Sequence, residues 1–157
     1  MRGFDKLDLE SLPTPAYVVS LDLLEQNLNK LDDVQKRSGA EILLALKGFS
    51  AYSAFPLVQK YLRGTTSSGI NEALLAREYF GGEIHVYNPA FTQSEISQLA
   101  EFAHTIVFNS QAQLDKFAEF ARSCAKAAGN PGLEIGLRVN PQYAEVETQI
   151  YNPCASG

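Results

Sequence analysis

Short apolar runs alternate with amphipathic stretches along the chain, a pattern typical of β-strands separated by α-helices. The apolar runs predict strands at residues 16–19, 42–46, 83–87, 105–108 and 133–139. Apolar residues at helical spacing predict helices that begin near or contain Asp22, Phe55, Ile70, Thr92 and Ser110. Strand and helix alternate five times after residue 40 with short connections, which favours a parallel sheet with right-handed crossovers.

Polar and small residues at the predicted helix ends support this pattern. Three pairs have the spacing of a capping box, namely Asp22 with Glu25, Thr92 with Glu95, and Ser110 with Gln113. The helices are expected to stop at Ser38-Gly39, Gly81-Gly82 and residues 130–132. One face of the first helix carries Leu21, Leu24, Leu28, Leu31 and Val34. The hydroxyl-rich segment at residues 64–69 leads into the helix that we expect from Ile70 to about Phe80.

Two α/β architectures fit this order of elements, an open doubly wound sheet and a (β/α)8 barrel. The sequence has neither a Gly-x-Gly-x-x-Gly after a strand nor a Gly-x-x-x-x-Gly-Lys-[Ser/Thr] segment, so the dinucleotide fingerprint and the P-loop are both excluded. A complete barrel needs about 250 residues. With 157 residues, a barrel built by this chain would stop after its fifth strand.

Composition narrows the class of protein without deciding its function. The chain is 45% hydrophobic and 20% charged, which is ordinary for one globular domain. Its net charge of -5 argues against a nucleic-acid partner. The chain has neither an apolar stretch of the roughly 20 residues that a spanning helix needs nor a secretory-type start, so a cytoplasmic protein is expected. Cys124 and Cys154 are expected to be free thiols, and no residues have metal-ligand spacing.

Lys47 is the first candidate for chemistry, because it ends the run 42–46, which we expect to be a strand buried on both faces. Burial disfavours the charged form of an amine, and an uncharged amine can attack a carbonyl to form a Schiff base. The alternative is a lysine whose stem packs on the rim of the sheet while its ammonium group reaches water.

Further polar residues gather where the predicted strands end. They are Thr66, Ser67, Ser68, Tyr87, Asn88, Asn109, Ser110, Arg138 and Asn140. Because the carboxyl ends of parallel strands form the ligand face of either architecture, these residues could converge on one site. Asn88, Asn109 and Ser110 are equally typical of turns and helix caps, and Glu72 is equally typical of a surface carboxylate in a first helical turn.

Six segments, taken in chain order, resemble one enzyme family. They are Ala45-Leu46-Lys47-Gly48-Phe49, Gly64-Thr65-Thr66-Ser67-Ser68-Gly69, Asn88-Pro89-Ala90-Phe91, Val107-Phe108-Asn109-Ser110-Gln111, Leu137-Arg138-Val139-Asn140-Pro141 and Tyr151-Asn152-Pro153-Cys154. Together they are similar to the N-terminal part of the carboxynorspermidine (carboxyspermidine) decarboxylases, which are alanine racemase-like (fold type III) pyridoxal phosphate enzymes. The resemblance implies a TIM-type (β/α)8 barrel joined to a C-terminal β domain, and usually a homodimer.

The resemblance also implies a cofactor and site residues. Lys47 would hold pyridoxal 5'-phosphate as an internal aldimine, and Ser68, Glu72, Arg138 and Asn140 would lie at the cofactor. The implied reaction converts carboxynorspermidine or carboxyspermidine into norspermidine or spermidine, in polyamine biosynthesis. Diaminopimelate and ornithine decarboxylases have an aspartate where this chain has Thr66, and this difference argues against those relatives.

The expected domain organisation is therefore an incomplete barrel of about five βα units. Residues 1–20 would form a leading segment and residues 21–157 the βα units, and the rest of the barrel and the C-terminal β domain would be absent. The alternatives are a related diamino acid decarboxylase, a non-catalytic pyridoxal phosphate binder and an inactive truncated fragment. Neither a membrane nor a nucleic acid is expected as a partner.

Overall fold

The computed structural model describes residues 4, 7–152 and 154. Residues 1–3, 5, 6, 153 and 155–157, which include Pro153 of the C-terminal segment quoted above, lie outside the described residues. The strands are β1 (Leu44–Ala45), β2 (Gly64–Ser67), β3 (Glu83–Tyr87), β4 (Thr105–Phe108) and β5 (Glu134–Leu137). The helices are α1 (Leu21–Ser38), α2 (Phe55–Val58), α3 (Ile70–Leu75), α4 (Gln93–Ala100) and α5 (Gln111–Ala127).

The strands form a sheet in the order β1-β2-β3-β4-β5. The pairs β1–β2, β3–β4 and β4–β5 are parallel, with Ala45 opposite Thr66 and Phe108 opposite Leu137. Helices alternate with these strands, so the predicted α/β class with parallel strands is confirmed. By contact density the chain divides into two compact units, the first ending at Ile84 and the second beginning at His85.

The first unit packs α2 and the helical stretch after β2 into one apolar core. Phe55, Val58 and Leu62 are all buried, as their helical spacing predicts, and Phe55 meets Phe80 edge-on at a centroid distance of 5.5 Å. Helix α3 continues into a single π-helical turn, Ala76–Phe80, and Gly81 and Gly82 end it with φ values of 70° and 69°. The predicted end of this helix is therefore confirmed.

The second unit has its own apolar core beneath β4. Ile96 and Leu99 of α4 are buried, and Phe108 of β4 lies 5.9 Å from Phe91 and 6.4 Å from Phe117 of α5 between ring centroids. Helices α4 and α5 therefore contribute Ile96, Leu99 and Phe117 to this core. The predicted strands 83–87 and 105–108 are also confirmed, with the same bounds.

Three expectations for the N-terminal half are wrong in the described chain. Residues 16–19 form no strand and Tyr17 is fully exposed; a strand needs a hydrogen-bonded neighbour, which local apolar pattern cannot supply. Helix α1 starts at Leu21 with Ser20 as its cap, so the Asp22–Glu25 capping box does not form. Strand β1 has only two residues, both half-buried, rather than a run buried on both faces.

Helix α1 exposes most of the apolar face that its sequence predicts. Leu28 is buried, whereas Leu21, Leu31 and Val34 are exposed.

The hydroxyl-rich segment 64–69 contains strand β2, whose bounds the sequence did not predict. Serine and threonine are as typical of turns as of strands, so a short run of them does not distinguish the two. Gly64 is required there, because a Cβ atom at this position would overlap the Glu83 carbonyl oxygen.

Candidate active site

Lys47 lies in the turn that directly follows β1. The carbonyl oxygen of Ala45 accepts hydrogen bonds from the backbone N–H groups of Gly48, at 2.9 Å, and Phe49, at 3.1 Å, and these bonds close the turn. Lys47 is exposed, and within the described part of the chain it has no carboxylate at ion-pair distance. The expectation that Lys47 is buried is therefore wrong. Its amine is accessible at the end of a strand.

Ser68 and Glu72 lie together at the carboxyl end of β2. The backbone N–H of Ser68 donates to Glu72 Oε2 at 2.7 Å, so the carboxylate of Glu72 holds the connection between β2 and α3. Backbone pairing places this connection beside the Lys47 turn, because Leu46 N–H donates to the Thr66 carbonyl oxygen at 3.1 Å. The structure thus places Lys47, Ser68 and Glu72 at the ends of two adjacent strands.

The hydroxyl groups of β2 differ in their surroundings. Thr65 and Ser67 are buried, and among the residues the structure covers their hydroxyl oxygens have no hydrogen-bond partner. Thr66, which alternates with them and so belongs to the other face of the sheet, is half-buried. Thr66, the position at which the resemblance distinguishes this chain from diaminopimelate and ornithine decarboxylases, is therefore on the more open face of β2.

A second cluster lies at the carboxyl ends of β3, β4 and β5. The hydroxyl of Tyr87, the last residue of β3, donates to Asn109 Oδ1 at 2.7 Å, and Nη1 of Arg138, directly after β5, donates to the same oxygen at 3.0 Å. The guanidinium carbon of Arg138 lies 5.7 Å from the centroid of the Tyr87 ring, within the range of a cation–π contact. Arg138 is exposed, whereas Asn109 and Tyr87 are half-buried.

Gln113, in the first turn of α5, ties this cluster to the neighbouring loop. Its Oε1 accepts from the Asn109 backbone N–H at 3.3 Å, and its Nε2 donates to the Pro89 carbonyl oxygen at 2.5 Å. Ser110 caps α5 by accepting from Gln113 N–H, which confirms half of the predicted capping box; the Gln113 side chain bonds the residue before the cap instead. The sequence placed Asn109 after a strand, where it is equally typical of a turn or a helix cap, and gave no signal that Tyr87 and Arg138 share its oxygen.

Asn140 lies in a turn after β5. Its Oδ1 accepts from the Gln142 backbone N–H at 3.0 Å, an Asx-type turn, and the Cys154 thiol lies 4.0 Å from the same oxygen. Asn88 forms a similar turn with Ala90. The Asn88 contact is the turn role that its sequence position also suggested, whereas Asn140, which the resemblance places at the cofactor, forms such a turn as well.

Two classes of site are not found within the described ranges. These residues contain no group of three or more His, Cys, Asp and Glu side chains that could hold a metal ion. None of their helices has the length and apolar character to cross a membrane.

The family model for the alanine racemase N-terminal domain matches residues 19–140, and this range contains both clusters. The chain belongs to this family. Its expected alanine racemase-like fold is thereby confirmed. Curated relatives include a carboxynorspermidine/carboxyspermidine decarboxylase of Campylobacter jejuni, 43% identical over 92% of this chain, and a carboxyaminopropylagmatine decarboxylase of Synechocystis, 39% identical over 95%.

A solved structure agrees with these relatives. The crystal structure of Campylobacter jejuni carboxynorspermidine decarboxylase, complexed with norspermidine, matches 78% of this chain with a TM-score of 0.68 and 44% identity. The chain spans about a third of the length of these proteins, namely 36% and 37% of the two curated relatives and 31% of the crystallised chain. The resemblance of this chain to part of the carboxynorspermidine (carboxyspermidine) decarboxylases is therefore confirmed.

Proposed function

We propose that this chain is the N-terminal part of a pyridoxal phosphate-dependent decarboxylase that acts on carboxylated polyamines. The observation that carries the proposal is an accessible lysine at the end of β1, in a chain 43% identical to a carboxynorspermidine/carboxyspermidine decarboxylase. Residues 1–20 would lead into the barrel and residues 21–157 would supply its first five βα units. A homodimer and a cytoplasmic location belong to the same proposal and are supported by the resemblance alone.

The first unit fits a covalently bound cofactor. Lys47 is exposed and unpaired in the described part of the chain, so its amine, in the uncharged form, can reach an aldehyde without breaking an ion pair. Glu72 fixes the neighbouring connection through Ser68, which limits the movement of backbone beside that amine. When bound, pyridoxal phosphate supplies an electron sink that makes loss of carbon dioxide from an α-amino acid group feasible.

The second unit fits the recognition of an anionic group. Arg138 presents a guanidinium group at a strand end, and in the proposed enzyme it would lie at the cofactor together with Asn140. The names of the relatives support the proposed substrate class, since carboxynorspermidine, carboxyspermidine and carboxyaminopropylagmatine all combine a carboxylated end with a polyamine chain.

Product formation tests the activity directly. The enzyme that contains this chain as its N-terminal part is incubated with pyridoxal phosphate and carboxynorspermidine, and release of carbon dioxide and formation of norspermidine are measured. We expect both products from the wild-type enzyme and neither from its Lys47→Ala variant, with Lys60→Ala, another exposed lysine of the first unit, behaving as wild type. Cofactor attachment without norspermidine would contradict the decarboxylase and favour a pyridoxal phosphate binder.

A further inference from the structure

Asn109 is the centre of the side-chain network in the second unit. Its Oδ1 accepts from Tyr87 at 2.7 Å and from Arg138 at 3.0 Å, which uses both lone pairs of the amide oxygen. The backbone of Asn109 is held in turn by Gln113, which also bonds the Pro89 carbonyl oxygen. The acceptor for Arg138 is therefore fixed from two sides before any ligand is present.

This network orients Arg138 without neutralising it. The asparagine amide carries no charge, and within the described ranges Arg138 has no carboxylate at ion-pair distance. Arg63 of the first unit shows the opposite arrangement, since it pairs with Glu41 and, at 2.5 Å, with Glu83. The charge of Arg63 is thus compensated by carboxylates within the fold. The charge of Arg138 is not compensated in this way within the described ranges, and most of its five N–H donors are not used by Asn109.

We propose that Asn109 is a positioning residue that fixes the Arg138 guanidinium for an oxyanion of the ligand, and that its neutrality is what leaves the charge of Arg138 available. An aspartate would accept the same two hydrogen bonds but would form an ion pair with Arg138 and compete with the ligand. The inference rests on the proposed function, in which the oxyanion is either the phosphate of the cofactor or the carboxylate of the substrate.

Nuclear magnetic resonance of the Arg138 side-chain N–H signals tests this in the whole chain. Two matched pairs of probes differ by one anionic group: pyridoxal phosphate with pyridoxal, and carboxynorspermidine with norspermidine. We expect the Arg138 signals to shift with the anionic member of one pair and not with its partner, which identifies the source of the oxyanion. Failure of both anionic probes to shift them would overturn the inference.

Variants separate orientation from charge. Asn109→Asp should keep the Arg138 side chain ordered but weaken binding of the anionic probe about tenfold, as expected for about 1.4 kcal/mol of competing ion-pair energy. Asn109→Ala should instead speed rotation of the guanidinium group, and Tyr87→Phe should do so less, because Asn109 Oδ1 still accepts from Arg138.

Asn88→Asp is the matched control, because it adds the same charge after β3 and an aspartate can still accept from Ala90 N–H. We expect it to bind the anionic probe as wild type does. Equal weakening by Asn88→Asp, or undiminished binding by Asn109→Asp, would contradict a specific role for Asn109. Cofactor attachment at Lys47 is measured separately. Absence of that attachment would overturn the proposed function, whereas the binding of the anionic probe by the Asn109 variants tests the role of Asn109 by itself.

Discussion

The two strand-end clusters hold their cationic residues in different ways. Lys47 lies in a turn closed by backbone hydrogen bonds to Ala45, and Glu72, at the end of the adjacent strand β2, is engaged by the backbone of Ser68. Arg138 is held by a side-chain acceptor and lies against the Tyr87 ring. The comparison indicates that the first cluster leaves the Lys47 amine room to move, whereas the second fixes the Arg138 guanidinium in place.

The largest effect is expected from removing the support beneath the second cluster. Phe108 is fully buried between Phe91 and Phe117, and its carbonyl oxygen accepts from Arg138 N–H at 2.9 Å. Phe108→Ala should lower the free energy of unfolding by about 3–5 kcal/mol, since it leaves a cavity in the core. Urea denaturation measures this, with the exposed Tyr151→Ala expected to change it by less than about 0.5 kcal/mol.

A smaller loss is expected from disturbing the sheet beside the first cluster. In Gly64→Ala the new methyl group would overlap the backbone of Glu83, and relieving such overpacking typically costs about 1–3 kcal/mol. Gly132→Ala is the matched control, because a Cβ atom there meets nothing within 4 Å. Hydrogen exchange of the β2 amides should accelerate in Gly64→Ala alone; equal exchange in the two variants would contradict the close approach.

The hydrogen bond between Ser68 N–H and Glu72 should contribute about 1 kcal/mol, the usual net contribution of a hydrogen bond to stability. Glu72→Ala removes the acceptor of Ser68 N–H, whereas Glu72→Gln keeps an oxygen in the same place. We therefore expect faster exchange of the Ser68 amide in the alanine variant than in the glutamine variant. If both variants exchange as wild type does, the carboxylate does not hold this connection.

The smallest effect concerns pH and the capping box that precedes the second cluster. The backbone N–H and the hydroxyl of Thr92 both donate to Glu95, and these bonds lower the pKa of Glu95 below its usual range. A carboxyl whose pKa is lower in the folded state stabilises that state above its unfolded pKa, and the contribution is lost as pH falls through the folded pKa.

Glu95→Gln should therefore show a weaker loss of stability between neutral pH and about pH 3 than wild type does. Urea midpoints measured across this range provide the comparison. An identical pH dependence of the two proteins would mean that the Thr92 bonds to Glu95 do not contribute.

Local pattern was sufficient for elements whose signals are local. The Thr92–Glu95 capping box, the glycines after Phe80 and the strand Glu83–Tyr87 all follow from residues close in sequence, and all are confirmed. Residues 16–19 have the same apolar character as a strand but find no partner in the described chain, because pairing is a property of distant segments. The short, half-buried β1 differs from its prediction for a similar reason, since burial depends on neighbours that the run itself does not encode.

The candidate site was predictable as a set of positions but not as a set of contacts. The rule that parallel strands present their carboxyl ends to a ligand placed Lys47, Ser68 and Arg138 among the candidates. The same rule gave Asn109 no more weight than any capping residue, because only the folded chain shows that Tyr87 and Arg138 share its oxygen. The degree of exposure of Lys47 likewise required the structure.

Attachment of the cofactor to Lys47 can be tested by trapping the cofactor on the protein. The purified chain is incubated with pyridoxal phosphate, reduced with borohydride and analysed by intact mass and peptide mapping, with Lys47→Ala and Lys60→Ala in parallel. We expect one reduced adduct, on Lys47, that is lost in Lys47→Ala and kept in Lys60→Ala. Adducts spread over several lysines, and unchanged in Lys47→Ala, would show that the cofactor is not held specifically by Lys47.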